Sequence, residues 1–460
     1  MAQLAEKVRR RMENGDTGKT LVVGLGKTGL SCARFLATRD VPVAITDSRE
    51  QPPGLDELRS ELPDTALFLG AFEAAVFEAA DRLVVSPGVP VDQPLIRQAM
   101  ARGVPVIGDI ELFAQAADAP VAAITGSNGK SSVTTLLGEM ADRAERRVKV
   151  GGNLGEPALD LLSDEADLYV LELSSFQLET THTLAPRVAV VLNVSADHMD
   201  RYDSMALYAD AKARIYNNAE VGVFNLDDPR VMAMRGAESS ALFFTLGEPG
   251  EGTFGLRAED DRLWLCFEQE RLVAADELKV PGRHNLANAL AALAMGRALD
   301  LPMAAMLDAL REFKGLPHRT QFVAEHAGVR WYNDSKGTNV GACIAALNGF
   351  VSASGDDRTV LIAGGDGKGA DFSDLKPVVE ETARGVVLMG RDAALIAGAI
   401  GDKVPVVFAE DMDEAVARAA ELALPGDRVL LSPACASFDM YRSYEHRGEV
   451  FMTTVGRLVS

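Results

Sequence analysis

The chain has 460 residues, enough for roughly two to four domains of ordinary size. Hydrophobic residues make up 47% and charged residues 25%, a composition that is typical of folded globular proteins and excludes global disorder. The formal net charge of −21 argues against a general nucleic-acid or membrane-surface binder, although local cationic sites can still bind small anions.

The cysteine pattern and the apolar segments indicate a cytoplasmic protein. The four cysteines stand far apart and form no CxxC pair, so we expect buried thiols rather than disulfides or a zinc site. The N-terminal segment is basic but has no apolar core, so no secretory signal is expected. The alanine- and leucine-rich stretch at 285–310 is broken by Arg297, Asp300 and Pro302, which argues against a membrane span.

Short apolar runs alternate with helical runs along the chain, a pattern typical of βαβ units and parallel sheets. We predict an α/β fold of three domains, at residues 1–108, 109–314 and 315–460. The first two each contain a strand, a glycine-rich turn and a helix, and residues 247–280 form a small β-rich part of the second. The predicted buried strands are 21–25, 43–46, 83–85, 121–125, 168–171, 188–192, 359–363, 386–389 and 428–431.

A phosphate-binding loop is predicted at residues 126–132, between a strand and a helix. Its glycines allow backbone N–H groups to converge on phosphate oxygens, and the helix N-terminus adds partial positive charge. Lys130 supplies a point charge for phosphate and Ser131 can ligate Mg²⁺. The strict GxxxxGK[ST] spacing is not met, because Ile124 stands at its first glycine position, so we interpret this as a shortened loop.

A second glycine-rich turn, at residues 24–29, matches GxGxxG and is followed by Asp47 at the tip of the next predicted strand. Alone, this is the dinucleotide fingerprint with its ribose-binding acid and would indicate a dehydrogenase. The phosphate loop downstream and the lack of an obvious hydride-transfer site weaken that interpretation, because GxGxxG can bind the diphosphate of any nucleotide. Ser86, at another strand tip, can complete the same pocket.

The predicted second domain carries three further candidate residues. Glu172 lies at the C-terminal tip of a predicted strand beside the phosphate loop, a position that suits a Mg²⁺ ligand. His198 follows the strand at 188–192 and is suited to ligate metal or orient substrate, whereas Lys212 lies in a predicted helix. Singly, such residues are more often structural or solvated, so only their combination favours a site.

Three loops that follow predicted strands of the third domain, at 333–339, 364–368 and 432–439, carry lysines or hydroxyl groups. Ligands of open α/β sheets bind at this carboxyl edge. Arg319, at the domain seam, is placed to clamp a phosphate on closure, and the polar residues of 284–288 either cap a helix or contact a ligand. The candidates for binding an anionic amino acid are Lys336, Thr338, Lys368 and Ser437.

Together, these motifs resemble the Mur ligase family of peptidoglycan precursor synthesis, over essentially the whole chain after residue 20. The D-glutamate-adding branch is the most similar, because the Asp-Asn-Pro-Arg signature of the diaminopimelate-adding branch is absent. The motifs that carry the resemblance are GLGKTG (24–29), SPG (86–88), TGSNGKSS (125–132), GGNLG (151–155), LELSSFQLE (171–179), DHMDRY (197–202), AKARIYNNA (211–219), HNLAN (284–288), LPHR (316–319), NDSKGTN (333–339), GGDGK (364–368) and SPACASFD (432–439).

The resemblance implies a Rossmann-like UDP-binding domain, a central P-loop ATPase domain and a C-terminal Rossmann-like domain that binds the amino acid. It implies ATP- and Mg²⁺-dependent addition of D-glutamate to UDP-N-acetylmuramoyl-L-alanine through an acyl phosphate, a cytoplasmic step of peptidoglycan synthesis. The expected partners are these small molecules, without nucleic acid or membrane, and a monomer is expected.

The resemblance also assigns residues to ligands. For ATP these are Gly126, Ser127, Asn128, Gly129, Lys130, Ser131, Ser132, Asn288, Arg319 and Asp334. For the UDP-substrate they are Gly26, Lys27, Thr28, Asp47, Arg49, Ser86, Asn153, Gln177 and His198. For D-glutamate they are Thr338, Lys368, Ser437 and Tyr444. The implied metal ligands are Ser131, Glu172, His198 and Lys212, the last as a carbamate formed with CO₂, and the implied catalytic residues are Lys130, His198 and Lys212.

Three other interpretations stay open at this point. One is a folylpolyglutamate-synthetase-type ligase of the same architecture, which a panel of glutamate and folate substrates would separate. Another is an NAD-dependent oxidoreductase that uses residues 24–29, which would need a change in cofactor absorbance on turnover. The third is a non-catalytic nucleotide-binding regulator, against which intact Glu172, His198 and Lys212 argue.

Overall fold

The computed structural model of the chain describes residues 18–236, 240–280, 282–350 and 357–459. The N-terminal segment for which no secretory signal is expected lies mainly outside these described residues, at 1–17. The described residues form three separate sheets flanked by helices, so the predicted three-domain α/β fold is confirmed. Within the same ranges, no helix is long and apolar enough to cross a membrane, and Cys32, Cys266, Cys343 and Cys435 are buried free thiols.

The first sheet is parallel and has the strand order β3-β2-β1-β4-β5. The order reverses at β1, so the turn after β1 lies at the point where open α/β sheets bind ligands. The strands are β1 (Thr20–Val23), β2 (Val43–Asp47), β3 (Ala66–Leu69), β4 (Arg82–Val85) and β5 (Val106–Ile107). The helices are α1 (Lys27–Ala37), α2 (Leu55–Glu61), α3 (Ala74–Glu78) and α4 (Pro94–Ala101), and α5 (Asp109–Ala114) leads to the next sheet.

The central sheet has the order β14-β13-β12-β11-β10-β9-β6-β8-β7. Strands β6 to β12 run parallel, and β13 and β14 extend the sheet in antiparallel fashion as the expected β-rich part. The strands are β6 (Val121–Thr125), β7 (Val148–Gly152), β8 (Leu168–Glu172), β9 (Val188–Val191), β10 (Val221–Asn225), β11 (Ser240–Phe244), β12 (Thr253–Glu259), β13 (Arg262–Phe267) and β14 (Glu270–Ala274). The helices are α6 (Lys130–Arg143), α7 (Ser175–Glu179), α8 (Met205–Ala213), α9 (Pro229–Ala233), α10 (Arg283–Ala298) and α11 (Met303–Glu312).

The third sheet has the order β15-β16-β20-β17-β18-β19, in which only the β15–β16 pair is antiparallel among the described strands. The strands are β15 (Gln321–His326), β16 (Val329–Asn333), β17 (Thr359–Ala363), β18 (Ala383–Leu388), β19 (Val406–Phe408) and β20 (Arg428–Leu431). The helices are α12 (Val340–Asn348), α13 (Leu375–Thr382), α14 (Ala393–Ile400), α15 (Met412–Leu422) and α16 (Tyr444–Val459).

Apolar packing joins the first two domains and leaves the seam to the third more polar. One buried cluster contains Val22 and Ile45 of the first sheet together with Ala123 and Leu171 of the central sheet. The third sheet has its own clusters on its two faces. Burial of apolar surface is the main stabilising contribution in such cores, so the first two domains form a more firmly joined pair.

Candidate functional site

The phosphate loop has the predicted strand–turn–helix geometry. Strand β6 ends at Thr125 and α6 begins at Lys130. Gly129, at the helix N-terminus, has a φ of +85°, and a Cβ atom there would lie 2.3 Å from Oδ1 of Asn288. Only glycine fits such a backbone so close to a neighbour, which leaves the amide groups of the loop open to a ligand.

Asn193, which lies just after the end of β9, holds the phosphate loop in place. Its Oδ1 accepts a hydrogen bond from the backbone N–H of Asn128 at 2.8 Å, and its Nδ2 donates to the Asn128 carbonyl at 3.0 Å. The Ser127 hydroxyl donates to the Ser195 carbonyl at 2.9 Å. Asn193 was not predicted as a site residue, although its place after a strand adjacent to β6 is a usable signal.

Two lysines meet at the carbonyl groups of this loop. Lys130 Nζ donates to the carbonyls of Gly126 and Ser127 at 2.8 and 2.9 Å. Lys212, only 2% exposed, donates from Nζ to the same Gly126 carbonyl at 2.9 Å. Burial, reinforced by repulsion from Lys130, lowers the pKa of Lys212 well below its ordinary value. Its amine is therefore much more readily uncharged, and hence nucleophilic, than that of a solvated lysine.

Glu172 ends β8, the strand beside β6, and is 3% exposed. Its Oε1 accepts a hydrogen bond from Asn153 Nδ2 at 2.8 Å, whereas its Oε2 is buried without a partner among the described residues. An unpaired buried carboxylate oxygen is costly, and a bound cation would compensate for it. The described residues contain no group of three His, Cys, Asp or Glu placed to hold a metal. The single buried carboxylate of Glu172 beside the phosphate loop nevertheless fits Mg²⁺, which proteins often hold through one or two carboxylates plus phosphate oxygens.

His198 lies in the loop after β9 with a φ of +58°. Its Nε2 lies 3.7 Å from Oδ2 of Asp197, and its ring packs edge-on against Phe176 with centroids 4.9 Å apart. Burial and the nearby lysines Lys368 and Lys130 lower the pKa of His198, despite the opposing charge of Asp197. The imidazole is therefore neutral at pH 7 and can accept a proton or ligate a metal.

A cleft of about 300 Å³ lies between the central and third domains. Arg319 Nη2 donates to the Ser131 hydroxyl at 3.2 Å across this seam. Asp334 is buried, its Oδ2 accepts from the Ser432 hydroxyl at 2.6 Å, and burial raises its pKa to about 6. The structure thus brings together at this cleft several of the predicted ATP-binding residues, namely Asn128, Gly129, Ser132, Asn288, Arg319 and Asp334.

The loops predicted to bind an amino acid follow β16, β20 and β17, which are adjacent in the sheet. Lys336 Nζ lies 3.8 Å from the centroid of the Tyr444 ring, and burial, with repulsion from Arg319, lowers the pKa of Lys336 to about 8. Lys368 Nζ lies 3.2 Å from Oδ1 of Asp197 in the central domain. Ser437 is buried in the loop after β20. The third domain thus presents two lysines toward the central domain.

Several residues predicted to bind the UDP-substrate have polar partners within the protein. The Asp47 carboxylate is 2% exposed, accepts from the backbone N–H of Leu25 at 2.7 Å and pairs with Arg49 at 2.7 Å. Although burial acts to raise it, these hydrogen bonds hold the pKa of Asp47 below its ordinary value. The Ser86 hydroxyl donates to the Gly24 carbonyl at 2.8 Å, whereas Arg49 keeps half of its side chain exposed.

Gln177 is likewise buried, and its side chain forms hydrogen bonds with the backbone at the start of α7 and with Asp109 at the junction of the first two domains. Its Oε1 accepts from the backbone N–H of Ser174 at 3.0 Å in the capping box of α7, and its Nε2 donates to Asp109 Oδ2 at 2.9 Å. Lys27 is exposed and donates from Nζ to the Gly155 carbonyl at 2.7 Å, which joins the first glycine-rich turn to the central domain. Gly26 and Thr28 flank Lys27 at the start of α1.

Comparison with known families agrees with this architecture. Three family models match the chain: the Mur ligase MurD-like N-terminal domain at residues 18–108, the Mur ligase middle domain at 124–296, and the Mur ligase glutamate ligase domain at 318–435. The chain belongs to the Mur ligase family, whose members are ATP-dependent ligases.

Two relatives named UDP-N-acetylmuramoylalanine–D-glutamate ligase are similar over nearly their whole length. The protein from Nitrosococcus oceani is 54% identical over 442 residues, 96% of this chain and 97% of the relative. The protein from Pseudomonas aeruginosa is 53% identical over 438 residues, 95% and 98% of the two chains.

Two solved structures share the fold at much lower sequence identity. A pseudomurein peptide ligase type C from Methanothermus fervidus has a TM-score of 0.61 at 19% identity, covering 96% of this chain and 100% of that one. A UDP-N-acetylmuramate-alanine ligase from Thermotoga maritima has a TM-score of 0.58 at 19% identity, with the same coverage. These distant similarities concern the three-domain fold alone.

Proposed function

We propose that this chain is an ATP-dependent ligase that joins D-glutamate to UDP-N-acetylmuramoyl-L-alanine, the reaction that the names of its 54% identical relatives state for those proteins. The observation that carries the proposal is that Lys130 of the phosphate loop lies within electrostatic range of Glu172 in its own domain and of Arg319, Lys336 and Lys368 across the interdomain cleft. Such a cleft can activate a carboxylate with ATP and present a second anionic substrate to it.

The first step is activation of the alanyl carboxylate, which is a poor electrophile. One of its oxygens attacks the γ-phosphorus of ATP, so that an acyl phosphate forms and ADP leaves. Lys130 and Arg319 neutralise the charge of the transferred group, and catalysis is mainly positioning and electrostatic stabilisation. For this role, Lys130 exchanges its hydrogen bonds to the loop carbonyls for bonds to phosphate.

The second step is attack of the D-glutamate amine on the acyl carbon. The tetrahedral intermediate collapses, the C–O bond to phosphate breaks, and inorganic phosphate leaves with that oxygen. The amine must lose a proton, and the neutral ring of His198 is the candidate base. Thr338, Lys368, Ser437 and Tyr444 are assigned to the carboxylates and body of D-glutamate, and Lys336 adds positive charge beside them.

We assign the metal site to Glu172, Ser131 and a carbamate on Lys212. His198 serves either as a further ligand or as the base of the second step, because the single lone-pair nitrogen of its neutral ring cannot do both. Mg²⁺ bound there would neutralise phosphate charge. An uncharged Lys212 amine can attack CO₂, forming an N–C bond and releasing a proton, which yields a carbamate anion. Lys130 repels the ammonium form of Lys212 and would attract this anion, whereas Asp197 and Glu172 act in the opposite sense. Mg²⁺ bound beside Glu172 would offset that repulsion.

The remaining assignments concern the first domain and the domain limits. We assign the turn at 24–29, with Arg49 and Asn153, to the UDP-substrate, and this is supported by the switch point after β1 and the exposure of Arg49. We propose domain limits at 108/109 and 314/315. They are supported by the N-terminal family model, which ends at residue 108, and by the glutamate ligase model, which begins at residue 318. We further propose that the protein is a cytoplasmic monomer whose partners are these small molecules alone.

The test is phosphate release by the purified full chain with ATP, Mg²⁺ and UDP-N-acetylmuramoyl-L-alanine. We expect release with D-glutamate, and not with L-glutamate or with folate as the acceptor of glutamate. Lys130→Ala should lower the rate at least about 100-fold, whereas Lys149→Ala, an exposed lysine of the same domain, should not. Absence of release by the wild type, or equal rates for wild type and Lys130→Ala, would contradict the proposal.

A further inference from the structure

Asn339 occupies the seam between the central and third domains and uses every polar atom of its side chain. It is the N-cap of α12, where its Oδ1 accepts from the backbone N–H of Ala342 at 2.8 Å. Its Nδ2 donates to Asn128 Oδ1 and to Asp197 Oδ2, each at 3.1 Å, and its Oδ1 also accepts from Asn128 Nδ2 at 3.3 Å. Because the residue is only 6% exposed, water cannot readily replace these bonds.

The central-domain partners of Asn339 belong to parts of the cleft with different ligands. Asn128 lies in the phosphate loop, and Asp197 immediately precedes His198. Asp197 Oδ1 in turn accepts from Lys368 Nζ at 3.2 Å, and Lys368 is assigned to D-glutamate. A continuous set of hydrogen bonds therefore runs from the phosphate loop, through Asn339 and Asp197, to the amino-acid loop.

Gly341 supplies a second and independent observation at the same seam. A Cβ atom there would lie 2.7 Å from the Ser195 hydroxyl oxygen and 3.4 Å from Asn128 Nδ2. Its φ is not in the left-handed region, so glycine is required here for close approach and not for backbone conformation. The first turn of α12 is thus seated directly against the loops that carry the phosphate and His198 sites.

We propose that Asn339 is a positioning residue that couples ATP binding to D-glutamate binding. The inference rests on the proposed function for the identity of the two ligands. Bound ATP fixes the phosphate loop, including Asn128. The hydrogen bonds between the side-chain amides of Asn128 and Asn339 then fix the start of α12. Asp197, which bonds to Asn339, in turn fixes Lys368 at the amino-acid loop. Each ligand thereby stabilises the arrangement that the other needs, and such a coupling is reciprocal at equilibrium.

The experiment measures the dissociation constant of a non-hydrolysable ATP analogue with and without saturating D-glutamate, in the presence of UDP-N-acetylmuramoyl-L-alanine. The wild type should bind the analogue about 10-fold more tightly with D-glutamate. Asn339→Ser retains a good N-cap but is too short to bridge to Asn128 and Asp197, so the coupling should disappear while the unfolding temperature stays close to that of the wild type. In turnover, its KM values for ATP and D-glutamate should both rise.

Gly341→Ala tests the same seam without removing a polar group. It should reduce the coupling and raise both KM values, because the added methyl group pushes α12 away from Ser195. Gly398→Ala is the matched control, since Gly398 lies in α14 and a Cβ atom added there would have no neighbouring atom within 4 Å, and it should behave as the wild type.

The inference would be overturned if the coupling persisted in Asn339→Ser, or if the wild type showed no more coupling than this variant. A rise in only one of the two KM values would do the same. A wild type that shows coupled binding but releases no phosphate would contradict the proposed function and leave the coupling established, so the two failures are distinguishable.

Discussion

Buried charged groups around the phosphate loop mark the site more clearly than any single motif. Lys212 and Glu172 are 2% and 3% exposed, and Glu172 keeps one carboxylate oxygen without a partner within the described ranges. Burying such groups costs stability, so a fold that keeps them beside Lys130 does so for binding or chemistry. At this buried position Lys212 Nζ forms one short hydrogen bond, to the Gly126 carbonyl at 2.9 Å.

Lys212→Ala is expected to remove a metal ligand if the lysine acts as a carbamate. The rate of phosphate release should fall at least about 100-fold, and millimolar acetate or formate should restore part of it, because a small carboxylate can occupy the space of the carbamate. Lys149→Ala, at an exposed position, should show neither the loss nor a response to acetate. A variant of Lys212 that stays inactive at every acetate concentration would count against the carbamate.

Asp334 predicts a specific pH dependence of stability. Burial raises its pKa from 3.8 to about 6, so between these values the folded state retains a proton that the unfolded state has lost. Stability therefore falls as pH rises through this window, and above it the folded state carries the full cost of a buried carboxylate.

Asp334→Asn removes this cost while keeping an oxygen acceptor for the Thr320 N–H. Relative to the wild type, its free energy of urea unfolding should increase by roughly 1 kcal/mol or more between pH 5 and pH 7.5. Asp200→Asn, at an exposed site, should show no such increase. The prediction is wrong if the difference between Asp334→Asn and the wild type is the same at both pH values.

Site residues that lie in a motif or just after a strand could be predicted from the sequence, whereas the bridge between the Asn128 and Asn339 side chains could not. Lys130, Glu172, Arg319 and Asp334 were predicted; in the structure Arg319 and Asp334 line the interdomain cleft, and Lys130 lies within electrostatic range of Glu172 and Arg319. Asn339 was not, because its partner Asn128 lies 211 residues away and a pair of amides has no local sequence signature. Asp47, Ser86 and Gln177 were predicted to bind substrate, and their internal hydrogen bonds depend on tertiary contacts that spacing does not reveal.

At the scale of elements, strands buried on both faces were the ones that the sequence revealed. All the strands predicted as continuous apolar runs are present, including Val121–Thr125 and Thr359–Ala363 with unchanged limits. Several of the strands that were missed lie at sheet edges, although the interior strand Val221–Asn225 was missed as well. Gln321–His326 lies at the edge of its sheet and is mostly exposed or half-buried, and Val106–Ile107 has two residues. An edge strand lacks the two-sided burial that makes a run apolar.

The turn between β6 and α6 leads to a prediction for its last glycine. Gly129→Ala should raise the KM for ATP at least about 10-fold, because alanine is strained by about 1–2 kcal/mol at a φ of +85° and its Cβ would collide with Asn288. Gly103→Ala has similar strain at a φ of +79° but no atom within 4 Å. It should lose comparable stability with an unchanged KM, and equal KM effects of the two variants would refute the assignment of the loop.

At the scale of the molecule, the net charge of −21 describes the exterior and not the cleft. Cations from two domains lie close to one another at the seam, with Lys130 from the central domain and Arg319, Lys336 and Lys368 from the third. The overall charge therefore says nothing against small anionic ligands. The three-domain arrangement was predictable from the order of motifs, but the contacts across the seam required the folded chain.

The central claim is that the carboxylate of UDP-N-acetylmuramoyl-L-alanine is phosphorylated and then coupled to D-glutamate. The most direct measurement uses this substrate with heavy oxygen in its alanyl carboxylate and follows the label by mass spectrometry during turnover. We expect each amide formed to deliver one labelled oxygen to inorganic phosphate, because the acyl C–O bond is the one that breaks. Release of unlabelled phosphate would contradict the account, as would release of labelled phosphate in an assay without D-glutamate.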